Sequence, residues 1–332
     1  MIDTFKAVVV NKQDEDFSLR VEQVNLDKLS KGNVLIEVHY SGINYKDGLA
    51  SVPNGKIVRS YPHIPGIDLA GVVVESDDDR YKTGDKVIAT SYEIGVSHSG
   101  GYSQYANIPA DYIVPLPEGL SLKEAMIIGT AGFTAALSVL RLEENGLKPE
   151  NGKVLVTGAT GGVGSFGVAM LAKLGYNVEA STGKESEHEY LTAIGAGSII
   201  SRDEVYNGNL KTLEKQQWAG AIDPVGGATL AAIASKLQYN GSVAVSGLTG
   251  GGDVPTSVYP FILRGVNILG IDSVYCPMET RLKVWERVAS DLKIDDFTPF
   301  IAKEVSLDEL PDLLPTILKG GIRGRIIANI KG

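Results

Sequence analysis

The sequence predicts an α/β fold, a doubly wound parallel sheet inserted in a β-rich domain, and three observations carry that expectation. The first third alternates short apolar runs with Gly, Pro and Asp turns, the texture of a small barrel or sandwich. From Lys153 onward apolar strands alternate with helical segments, as the crossovers of a parallel sheet require. The first of those later strands runs into a glycine-rich turn, Gly158-Ala159-Thr160-Gly161-Gly162-Val163-Gly164, and then into an amphipathic helix.

In order along the chain, early strands are expected over Ala7–Val10, Val34–Tyr40, Leu69–Glu75, Lys86–Thr90 and Tyr112–Leu116. Ser121 and Glu124 form a capping box that opens a helix through Ala125 and Met126, and a second apolar helix covers roughly Gly132–Arg141. Strands of the parallel sheet are expected over Val154–Thr157, Asn177–Ser181, Ser198–Ile200, Ala221–Asp223, Ser242–Ser246 and Asn267–Ile271. Residues 300–332 return to short strands around one helix, Leu307–Leu318, and rejoin the first domain. The 332 residues therefore divide into 1–124, 125–295 and 296–332, with the dinucleotide-type domain as the insertion.

A formal net charge of −9, with no basic block, argues against nucleic acid or an anionic membrane as the main partner. Cys276 is the single cysteine, so neither an intramolecular disulfide nor a Cys-cluster metal site can form. The start of the chain has only a short apolar run and then charges, unlike a signal peptide. Ala125–Leu140 is interrupted by Gly129, Thr130, Gly132 and Thr134 and falls short of the roughly 20 residues of a membrane span. A cytoplasmic location is expected.

The glycine-rich turn has the setting of a dinucleotide fingerprint: bare backbone facing a pyrophosphate and a helix N-terminus aimed at it. Ala159 stands at the first glycine position, and Gly161 and Gly164 fill the other two. About 20 residues on, where a carboxylate would hold the 2′-hydroxyl of NAD, the strand ends in Ser181-Thr182-Gly183-Lys184. A hydroxyl and a cation in place of the acid, with Arg202 past the next strand, favour a 2′-phosphate and hence NADPH. The four histidines, His39, His63, His98 and His188, are scattered, and no metal site is expected.

Seven segments in order then resemble a known family: Asn44-Tyr45-Lys46-Asp47, Ile64-Pro65-Gly66-Ile67-Asp68-Leu69-Ala70-Gly71, Gly84-Asp85-Lys86-Val87, Met126–Ala135, the glycine-rich turn, Asp223-Pro224-Val225-Gly226-Gly227 and Gly270-Ile271-Asp272-Ser273-Val274. Over nearly its whole length the chain resembles the zinc-free quinone-oxidoreductase branch of the medium-chain dehydrogenase/reductases, within it the bacterial acryloyl-CoA reductase group. The resemblance implies a Rossmann domain inserted in a GroES-like catalytic domain, and a homodimer. It also implies that the zinc ligands of related dehydrogenases are replaced around Ser41–Asp47 and Gly66-Ile67-Asp68.

Residue by residue, it implies NADPH contacts at Tyr45, at Thr160, Gly161, Gly162 and Val163 for the pyrophosphate, and at Thr182, Gly183, Lys184 and Arg202 for the 2′-phosphate. On the nicotinamide side it implies Leu248, Ile262 and Ser273, with Arg325 approaching the cofactor. The activity implied is reduction of a C=C bond conjugated to a carbonyl, in a short enoyl-CoA such as acryloyl-CoA. Tyr45 is then the catalytic donor, Asn44 an added amide donor, Thr130 a support for the nicotinamide and Asp47 a turn-stabilising acceptor. A quinone reductase, or an NADPH-binding sensor or structural protein with little turnover, are the alternatives.

Overall fold

The computed structural model describes residues 3–14 and 16–332, and these divide into two compact units: Met1–Thr130 with Val274–Leu282 and Phe300–Gly332, and Ala131–Ser273 with Lys283–Pro299. The first unit begins with strands β1 (Phe5–Gln13) and β2 (Asp16–Val24), an antiparallel pair of its own. Strand β3 (Val34–Gly42) follows, then a short helix α1 (Tyr45–Ala50), β4 (Asp68–Ser76), β5 (Lys86–Thr90), β6 (Tyr105–Ile108) and β7 (Ile113–Pro115). In β3 the period-two pattern buries Val34, Ile36 and Val38 on one face and leaves Glu37 and His39 half-buried on the other, where Leu35 packs against the cluster of Phe5, Ala7 and Val9.

Helix α2 (Leu122–Glu144) starts at the expected capping box: Ser121 N–H donates to Glu124 at 2.7 Å and Glu124 N–H to the Ser121 hydroxyl at 3.2 Å. It is broken at the non-helical Gly129 (φ 49°, ψ −157°), so this span holds two helices meeting at a kink, as the sequence leads one to expect. By length and composition α2 could cross a membrane, but 89% of its most apolar window is buried inside the protein.

The second unit alternates β8 (Lys153–Val156), α3 (Gly162–Lys173), β9 (Asn177–Ser181), α4 (His188–Ala193), β10 (Ser198–Ile200), α5 (Arg202–Val205), β11 (Trp218–Asp223), α6 (Gly227–Lys236), β12 (Leu237–Val245), α7 (Tyr259–Arg264) and β13 (Asn267–Gly270). Its six strands pair in the order β10-β9-β8-β11-β12-β13, all parallel. This is the Rossmann order, with its switch point between β8 and β11. Central β11 is buried along its whole length, as a parallel strand covered on both faces must be.

After α8 (Met278–Ala289) the chain returns to the first unit through β14 (Ile301–Ser306), α9 (Leu310–Ile317) and β15 (Arg325–Asn329). These complete a seven-stranded sheet, β14-β15-β3-β4-β5-β7 with β6 on β3. Strands β2 and β6 are absent from the sequence expectation. β2 has no fully buried residue, so its pattern carries no apolar face to detect. β6 is only four residues long.

Candidate active site

In the second unit the glycine-rich turn sits at the switch point. The left-handed conformation falls on Gly158 (φ 52°), one residue before Ala159, which is why an alanine is accommodated where the fingerprint has its first glycine. A Cβ at Gly164 would lie 2.3 Å from the Gly158 carbonyl oxygen, so this position must stay bare for α3 to approach its strand. Gly161 is the N-cap of α3, Gly162 opens the helix, and Thr160 is buried beneath the turn.

The ends of β8 and β11 are tied together by the Thr157 hydroxyl, which donates to the Asp223 carboxylate. Asp223 also accepts the N–H groups of Val225 and Gly226, each at 3.0 Å. Burial pushes its carboxyl above the ordinary range against those hydrogen bonds. Sequence reasoning missed this tie; a Thr and an Asp ending neighbouring parallel strands was its available signal.

Past β9, Thr182 is buried and its hydroxyl accepts the Lys184 N–H at 3.1 Å, which fixes the turn. A Cβ at Gly183 would lie 3.0 Å from Arg202 Nε, so the guanidinium lies across this glycine. The structure thus brings Thr182, Gly183 and Arg202 together as a small cradle, with the Lys184 backbone held by Thr182 and no carboxylate at positions 181–184. Leu248 stands 70% exposed in the loop after β12, whose Gly247 has room only for hydrogen: a Cβ there would meet the Pro224 oxygen at 2.1 Å. Ile262, on α7, is also 70% exposed, and Ser273 lies just beyond β13, partly buried.

In the first unit Asn44 caps α1 and Tyr45 is its first residue, 53% exposed. Asp47 accepts the Asn44 N–H at 2.8 Å and the Ile67 N–H at 2.9 Å, so it pins α1 to the segment leading into β4. Burial, and then the neighbouring charge of Asp68, push its carboxyl up to about 7.

Arg325, which the resemblance brings toward the cofactor, is enclosed in the first unit. It is 4% exposed, and its guanidinium donates to the Ile127 oxygen at 3.0 Å, the Ile43 oxygen at 2.9 Å and Asn44 Oδ1 at 3.2 Å. Its Nη2 lies 3.8 Å from Asp68 Oδ2. Asp68, fully buried, accepts Asn44 Nδ2 at 2.8 Å, the Thr130 N–H at 2.9 Å and the Thr130 hydroxyl at 2.5 Å. The Asn44 amide is therefore engaged at both ends, with one N–H left over. Sequence reasoning gave Asp68 no role; an acid heading a buried apolar run is the signal that marks it.

A zinc ion does not fit this donor set. Ser41 spends its hydroxyl on the Asp68 carbonyl at 2.6 Å, Ile67 offers no ligand, and Asp68 is already shared among Asn44, Thr130 and Arg325. Among the described residues no three His, Cys, Asp or Glu side chains are grouped as a metal would need. The bare turn, the α3 N-terminus and the cationic cradle do fit a dinucleotide.

Residues 30–118 match the alcohol dehydrogenase GroES-like domain, and residues 162–290 match the domain described as a zinc-binding dehydrogenase. The chain is 60% identical to YhfP of Bacillus subtilis, provisionally named a quinone oxidoreductase, over 99% of this chain and all of that one. The crystal structure of YhfP with NAD bound superposes with a TM-score of 0.97, covering 98% of this chain and 99% of that one. The acrylyl-CoA reductase AcuI of Ruegeria pomeroyi is 51% identical over 98% of this chain and 99% of its own. The structure of Escherichia coli YhdH with bound NADPH is 45% identical with a TM-score of 0.93, covering 97% of this chain and 99% of that one.

Proposed function

The chain belongs to the medium-chain dehydrogenase/reductases, in the branch of the acryloyl-CoA reductases and quinone oxidoreductases, and from that premise we propose that it is an NADPH-dependent, zinc-independent reductase of a C=C bond conjugated to a carbonyl, acting on a short enoyl-CoA such as acryloyl-CoA. The observation that carries the reading is the pair of donors Asn44 and Tyr45 at the start of α1, with the Asn44 amide held by Asp68 and Arg325. With no place for a metal there, hydrogen-bond donors have to hold the charge that develops on a carbonyl oxygen.

The chemistry supplied by bound NADPH is hydride addition to the β-carbon. Negative charge then develops on the carbonyl oxygen and a proton is due at the α-carbon. Tyr45, whose phenol is open to solvent, donates to that oxygen or delivers the proton, and Asn44 adds its remaining amide N–H. Thr130 supports the nicotinamide. Thr160, Gly161, Gly162 and Val163 hold the pyrophosphate at the α3 N-terminus. Thr182, Gly183, Lys184 and Arg202 hold the 2′-phosphate, and Leu248, Ile262 and Ser273 lie on the nicotinamide side. Residues 125–295 act as the dinucleotide domain in this reading. The working protein is a cytoplasmic homodimer without nucleic-acid or membrane partners.

YhfP keeps two points open to measurement, since its name suggests a quinone as acceptor and its structure holds NAD. Steady-state assays with acryloyl-CoA and with a benzoquinone, each run with NADPH and NADH, separate the readings. The proposal expects the thioester and NADPH to win, with activity surviving exhaustive chelation. Faster quinone reduction makes the chain a quinone reductase. Tight NADPH binding with negligible turnover of every acceptor makes it a sensor or structural protein.

A further inference from the structure

Arg202 owes its place across Gly183 to a very short element. It is the first residue of α5 (Arg202–Val205), a single helical turn that follows the three-residue edge strand β10. A turn of this length has no stability of its own, because too few hydrogen bonds offset the ordering of its backbone. Its hold on Arg202 has to come from its two ends. At the start, Ser201 and Glu204 form a capping box: the Ser201 N–H donates to Glu204 Oε2 at 2.7 Å and the Glu204 N–H to the Ser201 hydroxyl at 3.3 Å.

At the other end stands a cation that no motif marks. Lys236, the last residue of α6, is 6% exposed, where a lysine ordinarily extends its ammonium into water. Here the side chain turns inward, and its Nζ donates to the carbonyls of Glu204 at 3.0 Å and Val205 at 2.6 Å. These are the last carbonyls of α5, which a positive charge suits. The base of the side chain is held as well. Arg264 donates to the carbonyls of Ser235 at 2.9 Å and Leu237 at 3.3 Å, on either side of Lys236, and the Lys236 carbonyl accepts the Gln217 N–H at 2.8 Å. Val205 adds an apolar anchor, buried with Trp218, Leu230 and Ile233. The Thr182 half of the cradle is bound to the same segment, its N–H donating to the Ile200 carbonyl at 3.1 Å. Lys236 is thus joined through the single turn of α5 to the guanidinium, whose Nε and Cζ lie 3.0 Å and 3.2 Å from where a Cβ on Gly183 would stand.

We propose that α5 is the selectivity strut of the cofactor site and Lys236 its positioning residue: by holding the last carbonyls of α5, opposite the capping box, it keeps Arg202 across Gly183 in register for the 2′-phosphate of NADPH. This deepens the 2′-phosphate reading above and rests on it. Lys236 acts through the backbone of α5, so it contributes to selectivity only while Arg202 is present.

Lys236→Met keeps the length and apolar stem of the side chain and removes its donors. Dissociation constants for NADPH and NADH are measured by calorimetric titration in the wild type, Lys236→Met, Arg202→Ala and the double variant, with thermal midpoints alongside. The expected result is an NADPH preference lowered about tenfold by Lys236→Met, with NADH affinity within about twofold of wild type. In the Arg202→Ala background the same substitution should leave the preference unchanged, because the contact it supports is already gone. A merely structural lysine would lower the thermal midpoint and leave the ratio of the two constants alone, or shift that ratio equally in both backgrounds; either result overturns the proposal. If Lys236→Met does not fold, Ser201→Ala, at the exposed opposite end of α5, is read in the same cycle. There an unchanged ratio overturns the proposal, and a loss that depends on Arg202 supports it. An NADPH preference that survives Arg202→Ala overturns the 2′-phosphate reading and the proposal with it. One lost in Arg202→Ala and intact in Lys236→Met overturns the proposal alone.

Discussion

Tyr45 begins a six-residue helix whose capping residue, Asn44, is anchored by Arg325 and Asp68, so its phenol projects from a fixed base into solvent. Tyr45→Phe should leave NADPH affinity nearly unchanged and lower enoyl-thioester turnover about 10²–10³-fold, the usual cost of one oxyanion donor. Quinone reduction should suffer less, because water can protonate that product. Unchanged thioester turnover would pass the role to Asn44. Asp47 gives a pH signature. Its folded carboxyl stands at about 7, against 3.8 for an ordinary aspartate, so from about pH 4 to 7 the folded state holds a proton that the unfolded chain has lost. Stability from this group therefore falls as pH rises through that window. His63, held down to about 4 by burial, acts in the opposite sense, losing stability as pH falls from 6.5 toward 4. Because Asp47→Asn leaves His63 in place, comparing the two proteins isolates Asp47. The thermal midpoint of the wild type should decline, relative to that of the variant, between about pH 5 and 7. Parallel midpoint curves would refute it.

At the scale of elements, two parts of the second unit do separable work. The turn before α3 is shaped by backbone: with Ala in place of Gly164 the new methyl must displace the Gly158 carbonyl, which would lie 2.3 Å away. Gly164→Ala should weaken NADPH and NADH binding alike in a calorimetric titration. The cradle past β9 is made of charge. Lys184→Ala combined with Arg202→Ala should cost NADPH about 10–100-fold per contact and leave NADH nearly unaffected, erasing the preference. Equal affinity of the wild type for both cofactors would remove the basis of the 2′-phosphate assignment. The turn was legible in the sequence because it depends on neighbours within one strand–turn–helix unit; that Arg202, past the next strand, lies against Gly183 was decided by the fold. Gly158's role as the left-handed residue was not legible, since the fingerprint assigns that turn to the next position, where Ala159 stands.

At the scale of the whole molecule, β13 is an edge strand of the six-stranded sheet and its residues alternate between partly buried and exposed. Ile268 is 37% exposed on that edge, and Val258, Tyr259, Ile262 and Leu263 are exposed on and beside α7. An unpaired apolar edge of this kind favours pairing with a second copy. A homodimer mass in light scattering is expected, and Ile268→Lys, a charge set on the edge, should shift it to monomer. A concentration-independent monomer in the wild type would refute the assembly. The strands that build this sheet were readable from their apolar runs. The assembly itself was implied only by resemblance.

The sequence by itself determined the class of fold, the succession of the six strands of the parallel sheet, the place of the glycine-rich turn and the lack of an acid after β9. Each is a local pattern: a period, a spacing, or a residue type required by backbone geometry. Only the tertiary structure decided what Asn44, Asp68, Thr130 and Arg325 do. Asn44 and Arg325 are 281 residues apart, and no periodicity or motif links them. A buried charge has to find a partner, but which partner depends on how β3, β4, α2 and β15 meet. The same packing withdrew Arg325 from solvent and made it the support of Asn44: between Gly42 and Gly129 its Nε donates to the Ile127 oxygen and its Nη1 to the Ile43 oxygen and Asn44 Oδ1.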